Sequence, residues 1–167
     1  VPNEDQGYVL SAIFMPSSSS LNRTAEVGEK VDAIFAKNPA VESRSEINGY
    51  SLLDGQYKTN ASTFFVKLKD FKERYGSMAT AKLQNAKAVL LGVGGQSRDI
   101  EQGRLIPIAP PAIPGIGTTG GFEFWIQDKE AGEPGRLYEL TQQFLTKARN
   151  RPELSGMNST FNAATQQ

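Results

Sequence analysis

Apolar and polar residues alternate along four stretches of the chain, and this period of two predicts strands. The predicted strands are residues 7–15, 40–50, 62–70 and 104–108. Alternation gives the first strand one apolar face formed by Tyr8, Leu10, Ala12 and Phe14. It gives the third strand an apolar face formed by Phe64, Val66 and Leu68. Pro107 in the fourth strand favours an edge position, because proline cannot donate to a ladder.

Two stretches between these strands have the period of a helix. Serines at 17–20 offer N-caps for a first helix whose apolar side is Val27, Val31, Ile34 and Phe35, and Asn38-Pro39 ends it. Residues 77–100 predict a second helix with Leu83, Ala86, Leu90 and Val93 on one side. Because each glycine costs roughly 1 kcal/mol in a helix, we expect this helix to break near Gly92, Gly94 and Gly95.

The order of these elements over residues 7–109 is β-α-β-β-α-β, which predicts an α+β, ferredoxin-like fold. A similar start recurs later in the chain, with a predicted strand at 121–128, a helix at 133–150 and a weak strand near 157–161. We expect the inward side of that helix to be Leu137, Leu140, Phe144 and Ala148. The second start therefore predicts the first β-α-β half of a second ferredoxin-like subdomain.

Composition removes several kinds of chemistry. The 167 residues carry 18 basic and 18 acidic side chains, so no net charge attracts nucleic acid. The chain contains no Cys and no His, which excludes thiol and imidazole catalysis and the usual zinc sites. We therefore expect neither an enzyme nor a bound metal or other cofactor.

One glycine motif raises the alternative of a nucleotide-binding enzyme. Gly115, Gly117 and Gly120 have the G-x-G-x-x-G spacing, and Gly121 follows them. A dinucleotide site needs a strand before the glycines and a helix opening on them, whereas here a proline-rich segment precedes and a predicted strand follows. We interpret these four glycines as a hinge or linker between two modules.

Several stretches together resemble one family, the resistance-nodulation-division (RND) drug efflux pumps. "VPNEDQGYVLSAIFMPSSSSLNRT" resembles the segment after the seventh membrane helix of these pumps. "VESRSEINGY", "FFVKLKDFKER" and "PPAIPGIGTTGGFEFWIQD" resemble, in the right order, a strand and loop, a second strand and a linker of the same family. The resemblance covers nearly the whole chain.

The resemblance implies a domain organisation, a cellular location and an activity. Residues 1–114 would be the first porter subdomain of the C-terminal half, and residues 115–167 the incomplete opening half of the next. The family's members are trimeric, proton-driven antiporters of the bacterial inner membrane that confer antibiotic resistance. Their periplasmic porter domains pass amphipathic drugs to an adaptor and an outer-membrane channel. The isolated chain would be a periplasmic part that transports nothing by itself.

The resemblance also implies substrate-pathway residues. Tyr50 and Leu52 stand at two phenylalanine positions of the family's gating loop, and we expect the loop from Tyr50 to Lys58 to be mobile. Other matches to the two drug pockets are Ile47, Phe65, Leu10, Ala12, Ile106 and Ile108, while Ser159 stands where many members have arginine. For Phe65 and Ile47 a core role and a pocket role both remain open, because both need a largely buried apolar side chain.

An alternative is a stand-alone ferredoxin-like domain that binds a small molecule or regulates a partner and dimerises through sheet edges. In the efflux interpretation the half-unit at 115–167 would lack neighbours for its strands, so we expect it either to pack against a second copy of the chain or to be poorly ordered after about Ser155.

Overall fold

The computed structural model describes residues 4–111, 124–129, 132–154, 157–159, 161 and 163. The chain divides into two compact units, Val1–Gly121 and Phe122–Gln167. The linker glycines at 115, 117, 120 and 121 lie outside the described residues.

The first unit has the element order β-α-β-β-α-β with a divided second helix. Its strands are β1 (Tyr8–Phe14), β2 (Val41–Ser51), β3 (Gln56–Leu68) and β4 (Arg104–Ile108). Its helices are α1 (Leu21–Ala36), α2 (Phe71–Arg74), α3 (Met78–Gln84) and α4 (Ala86–Gln96). The four strands form one antiparallel sheet in the order β2-β3-β1-β4. This topology is ferredoxin-like, and it confirms the predicted fold class for the first unit.

Helices α1 and α4 cover one face of this sheet and form the main core with it. Alternation correctly predicts the contribution of β3, since Phe64, Val66 and Leu68 are all buried there. The predicted apolar stripe of α1 is also confirmed. Its buried members are Val27, Val31 and Phe35, and Ile34 packs beside them. Ser20 caps the helix as expected, because its hydroxyl accepts a hydrogen bond from the Arg23 N–H.

Strand β1 is apolar on both faces, and the structure shows which face meets the helices. Val9 and Ile13 point into the main core, whereas the predicted stripe of Tyr8, Leu10, Ala12 and Phe14 lies on the opposite face. The four residues do share one apolar face as predicted, but that face belongs to a second apolar cluster and not to the main core. A central strand buried on both sides contains two such stripes, so alternation alone does not identify the side that the helices cover.

The second helical stretch breaks at Asn85 and not at its glycines. The Asn85 side chain accepts a hydrogen bond from the Ala88 N–H at 2.8 Å and so starts α4. Helix α4 then continues through Gly92, Gly94 and Gly95 to Gln96. The predicted inward face is partly wrong, because Leu83 is exposed, while Val89 and Val93 are buried. The Asn85 cap therefore sets where the helical stretch is divided, and the low helix propensity of the glycines does not.

The segment entering β1 is fixed by a buried ion pair between Asp5 and Arg74. The two side chains form two hydrogen bonds, of 2.6 and 3.0 Å, and the Arg74 side chain is completely buried. Asp5 also accepts hydrogen bonds from the Tyr75 hydroxyl and from the N–H groups of Gly7 and Ala86. One carboxylate thus ties the start of β1 to α2 and to the start of α4.

These contacts set the pKa of Asp5. Burial by itself raises the pKa of a carboxyl, but the hydrogen bonds from Arg74, Ala86, Gly7 and Tyr75 outweigh it and lower the pKa of Asp5 to about 2. The folded protein therefore holds Asp5 ionised well below the ordinary titration range of a carboxyl.

The second unit contains helix α5 (Pro134–Arg149), which confirms the helix predicted at 133–150. The predicted strand at 121–128 is wrong over residues 124–128, which carry no strand, and residues 157–159 carry none either. Residues with high strand propensity form a strand only where another strand completes the ladder. Thr141, Leu145 and Ala148 are the buried positions of α5, so the predicted inward face is right at Ala148 but wrong at the half-exposed Leu140 and Phe144.

We expect Asp5→Asn to lower the free energy of unfolding by about 3–5 kcal/mol, because it leaves the Arg74 charge buried without its partner. Chemical denaturation of both proteins measures this difference. Asp32→Asn is the matched control, since Asp32 pairs with Arg44 at the surface and its loss should cost less than about 1 kcal/mol. Equal effects of the two substitutions would contradict the anchoring role of Asp5.

The same pair predicts a pH dependence. Because folding lowers the pKa of Asp5, its contribution is complete above about pH 5 and is lost as the pH falls through 2 toward about pH 1. The stability gap between wild type and Asp5→Asn should therefore shrink by about 2 kcal/mol over this range. Denaturation midpoints at several pH values test this expectation, and a gap that stays constant down to pH 2 would argue against it.

We expect Gly92→Ala to stabilise the chain by roughly 0.5–1 kcal/mol, because α4 is continuous there and a Cβ at Gly92 would meet no atom within 4 Å. Gly55→Ala is the opposite control. Its site is equally open, but Gly55 has a φ of +64°, so alanine should destabilise by about 1 kcal/mol or more. Destabilisation by Gly92→Ala would mean that the helix is interrupted at this glycine.

Candidate functional site

The face of the sheet opposite α1 and α4 carries two rows of aligned side chains, one residue from each strand. The register places Ser45, Phe65, Leu10 and Ile108 side by side in the first row. It places Ile47, Thr63, Ala12 and Ile106 side by side in the second. We call these eight residues the apolar patch. Directly opposite residues on neighbouring strands lie about 4.5–5.5 Å apart at Cβ, so the patch is continuous across the sheet.

The apolar patch contains no ionisable side chain, and its burial changes across the sheet. Leu10, Ala12 and Ile108 are buried and form the second apolar cluster. Phe65 and Ile47, toward the β2 edge, keep 38% and 44% of their surface exposed. The patch therefore has a covered part near β1 and β4 and an accessible part near β2.

The cover consists of the end of β2 and the turn that follows it, and we call residues 50–54 the hairpin tip. Leu52 and Leu53 pack against the buried cluster of Leu10, Ala12 and Ile108. The Thr63 hydroxyl lies within the second row and connects the sheet to the tip. It donates to the Tyr50 carbonyl at 2.9 Å and accepts from the Leu52 N–H at 3.1 Å.

The hairpin tip is also organised internally. Ser51 donates from its hydroxyl to the Asp54 carboxylate at 2.8 Å, and Lys58 pairs with the same carboxylate at 2.7 Å. The rings of Tyr50 and Tyr57 contact each other at 5.5 Å between centroids. Gly49 and Gly55, on either side of the tip, have φ values of +81° and +64°, a region that glycine enters without strain.

The structure brings together eight of the nine substrate-pathway residues expected from the sequence. Six lie in the two rows, Leu52 covers them and Tyr50 precedes Leu52 at the tip. The expectation that Phe65 and Ile47 are largely buried is wrong, because both are substantially exposed. Ser159 lies in the second unit, where its hydroxyl accepts a hydrogen bond from the Phe161 N–H.

Strands extend further into the expected loop than the sequence indicated. Tyr50 and Ser51 belong to β2, and Tyr57 and Lys58 belong to β3, so the turn itself is only Leu52–Gly55. The hairpin is irregular, with a register shift between Asn48 and Tyr50. Such a shift bends a strand, and here it accompanies a tip that reaches back over the sheet.

Sequence reasoning missed Thr63 and Leu53. Counting back by two from Phe65 places Thr63 on the same face, so its position was predictable. Its partners were not, because hydrogen bonds to the Tyr50 carbonyl and the Leu52 N–H depend on how the tip folds. Leu53 lies within the predicted loop, where two adjacent leucines indicate that the loop covers an apolar surface.

The glycines near the end of α4 do not form a phosphate loop. Anion sites of this kind use the free N–H groups at a helix N-terminus, and α4 begins at Ala86, several residues before Gly92. Among the described residues, the helices are all too short or too polar to cross a membrane.

Comparison with known proteins finds similar sequences over most of the chain. The sequence model of the AcrB/AcrD/AcrF family matches residues 1–167. The chain is 38% identical over 161 residues to the multidrug export protein AcrF of Escherichia coli (strain K12). It is 28% identical over 160 residues to the solvent-resistant pump membrane transporter SrpB of Pseudomonas putida, and 27% identical over 154 residues to the multidrug resistance protein MdtF of Escherichia coli (strain K12).

These alignments cover most of the chain but little of each relative. They include 94% of the chain for AcrF and SrpB and 90% for MdtF. The chain spans 14% of the length of AcrF and of SrpB, and 13% of that of MdtF.

Proposed function

The chain belongs to the AcrB/AcrD/AcrF family of efflux transporters, and we propose that it forms part of the drug pathway of a proton-driven multidrug pump. In this proposal the first unit is a porter subdomain on the periplasmic side of the bacterial inner membrane. The apolar patch is one wall of the cleft through which substrates pass, and the hairpin tip gates it.

The observation that carries the proposal is the uncharged apolar patch on a sheet face that the helices of the first unit leave uncovered. An apolar surface with few polar groups holds amphipathic molecules without demanding one pattern of hydrogen bonds. Phe65 and Ile47 supply the accessible apolar area. The ligand class that fits this surface is an uncharged or weakly charged amphipathic small molecule.

The proposal extends to the assembly. The complete pump would be a homotrimer that works with a periplasmic adaptor and an outer-membrane channel. The chain by itself would bind substrate weakly, transport nothing and catalyse no reaction. The names of its relatives, which describe multidrug export and solvent resistance, support a broad apolar substrate range.

A stand-alone domain that dimerises through sheet edges remains the second candidate. The observation in its favour is that β2 and β4 are both edges of the sheet in the first unit. Pro107 weakens the β4 edge as a partner, because proline offers no N–H there. Edge pairing would therefore use β2, and a monomer in sedimentation would remove this candidate.

We expect the chain to bind Nile red, a neutral apolar dye, and Ile47→Lys to weaken that binding about tenfold. A charge at Ile47 places an ammonium group on the accessible part of the patch, and desolvating it opposes an apolar ligand. Fluorescence titration measures the affinity. Ile47 is on an edge strand and 44% exposed, so the fold should tolerate the lysine.

Leu91→Lys is the matched control. Leu91 is also an exposed apolar residue, but it lies on α4, on the other side of the sheet. It should leave Nile red affinity within about twofold of wild type. Equal losses from the two substitutions, or a larger loss from Leu91→Lys, would contradict the assignment of the binding surface.

A further inference from the structure

Thr63 occupies an unusual place for a hydroxyl, at the centre of an apolar row and completely buried. A buried hydroxyl is costly unless it is hydrogen-bonded, and Thr63 uses both of its capacities on the hairpin tip. It donates to the Tyr50 carbonyl and accepts from the Leu52 N–H. Both partners are more than ten residues away in sequence, so these bonds hold two separate parts of the hairpin together.

The tip that Thr63 holds is suited to move as one piece. Within the tip, Ser51 and Asp54 are joined by hydrogen bonds, and Lys58 of β3 pairs with the same Asp54 carboxylate. Gly49 and Gly55 flank it in a left-handed conformation that glycine enters and leaves at low cost. Movement of the tip at these glycines is opposed by three kinds of contact: the two Thr63 hydrogen bonds, the Asp54–Lys58 ion pair and the pairing of Tyr50 with Tyr57 on β3.

In the closed position the tip occupies the apolar patch itself. Leu52 and Leu53 pack against the cluster of Leu10, Ala12 and Ile108, so the chain's own leucines contribute to the burial of these three side chains. A ligand reaching this part of the patch must displace both leucines and break the two Thr63 hydrogen bonds. Ligand affinity therefore depends on the balance between the closed and open positions of the tip.

We propose that Thr63 is a positioning residue that latches the hairpin tip over the apolar patch, so that Leu52 and Leu53 act as an internal competitor of the ligand. This inference rests on the proposed function, since it assumes that the patch receives an amphipathic small molecule. The latch itself is a property of the fold and is measured without any ligand.

The latch is tested by amide hydrogen exchange of the 167-residue chain carrying Thr63→Val. Valine has nearly the same shape and keeps the β-branch, but it leaves the Leu52 N–H and the Tyr50 carbonyl without their partner. The Leu52 amide should exchange about tenfold faster, with unchanged rates in β1. Thr63→Ser keeps the hydroxyl and should restore slow exchange.

Thr24→Val is the matched control for a general loss of stability. Thr24 is equally buried and also bonds through its hydroxyl, but its partners are the carbonyls of Ser20 and Thr59 near the start of α1. This substitution should not accelerate Leu52 selectively. Wild-type exchange at Leu52 in Thr63→Val, or acceleration of equal size in Thr24→Val, would overturn the latch.

The competition is tested by Nile red titration of the same variants. Thr63→Val should raise the affinity about threefold or more, because opening the tip no longer requires breaking the two bonds, and Thr63→Ser should match wild type. Faster exchange at Leu52 with unchanged or weaker dye binding would overturn the competition. Failure of every variant to bind the dye would overturn the proposed function, while the exchange rates would still decide whether Thr63 is a latch.

Discussion

The sheet of the first unit buries apolar side chains on both of its faces, but its helices cover only one. In the β-α-β-β-α-β arrangement both helical connections pack on the same side, and here α1 and α4 meet Val9, Ile13 and Phe64 there. The other face must be covered in a different way or used for binding. The hairpin tip covers part of it, and the part near β2 stays accessible. The candidate site is thus a consequence of the topology.

A second constraint fixes where β1 starts and how the helical layer joins the sheet. Arg74 is fully buried, and the Asp5 carboxylate, the Lys69 carbonyl and the Gln84 carbonyl accept its hydrogen bonds. The rings of Phe71 and Tyr75 lie over its guanidinium group. Such a network stabilises a structure only when every member is satisfied, and here one carboxylate joins the chain before β1 to α2 and α4. The position of β1, and with it Leu10 and Ala12 in the patch, depends on this anchor.

The sequence predicted those features that follow from one repeated pattern. Alternation identified β3 and its core face, helical periodicity identified α1 and α5, and Pro107 indicated an edge strand. The sequence was less informative where the outcome depends on contacts with other parts of the chain. Strand β1 is apolar on both faces, so the face toward the helices could not be chosen, and residues 124–128 combine strand-forming side chains with no pairing strand among the described residues.

The resemblance singled out residues that chemistry alone would not have grouped together. Leu10, Ala12, Ile106 and Ile108 are ordinary core residues when considered one by one. Only the register of four strands shows that they align with Phe65 and Ile47 in two rows. The role of Thr63 was beyond sequence reasoning for a physical reason. Threonine is common in strands. The Thr63 hydroxyl has a specific role here because the folded turn brings the Tyr50 carbonyl and the Leu52 N–H within hydrogen-bond distance of it.

The central claim, that the apolar patch receives amphipathic molecules, is tested most directly by NMR of the chain with labelled isoleucine methyl groups. Isoleucines stand on both faces of the sheet, with Ile47, Ile106 and Ile108 in the patch and Ile13 in the main core. Titration with a neutral amphipathic dye should shift the three patch methyls in a saturable way and leave Ile13 unchanged. Shifts confined to Ile13 and the helical side, or no saturable shift at the patch, would contradict the account.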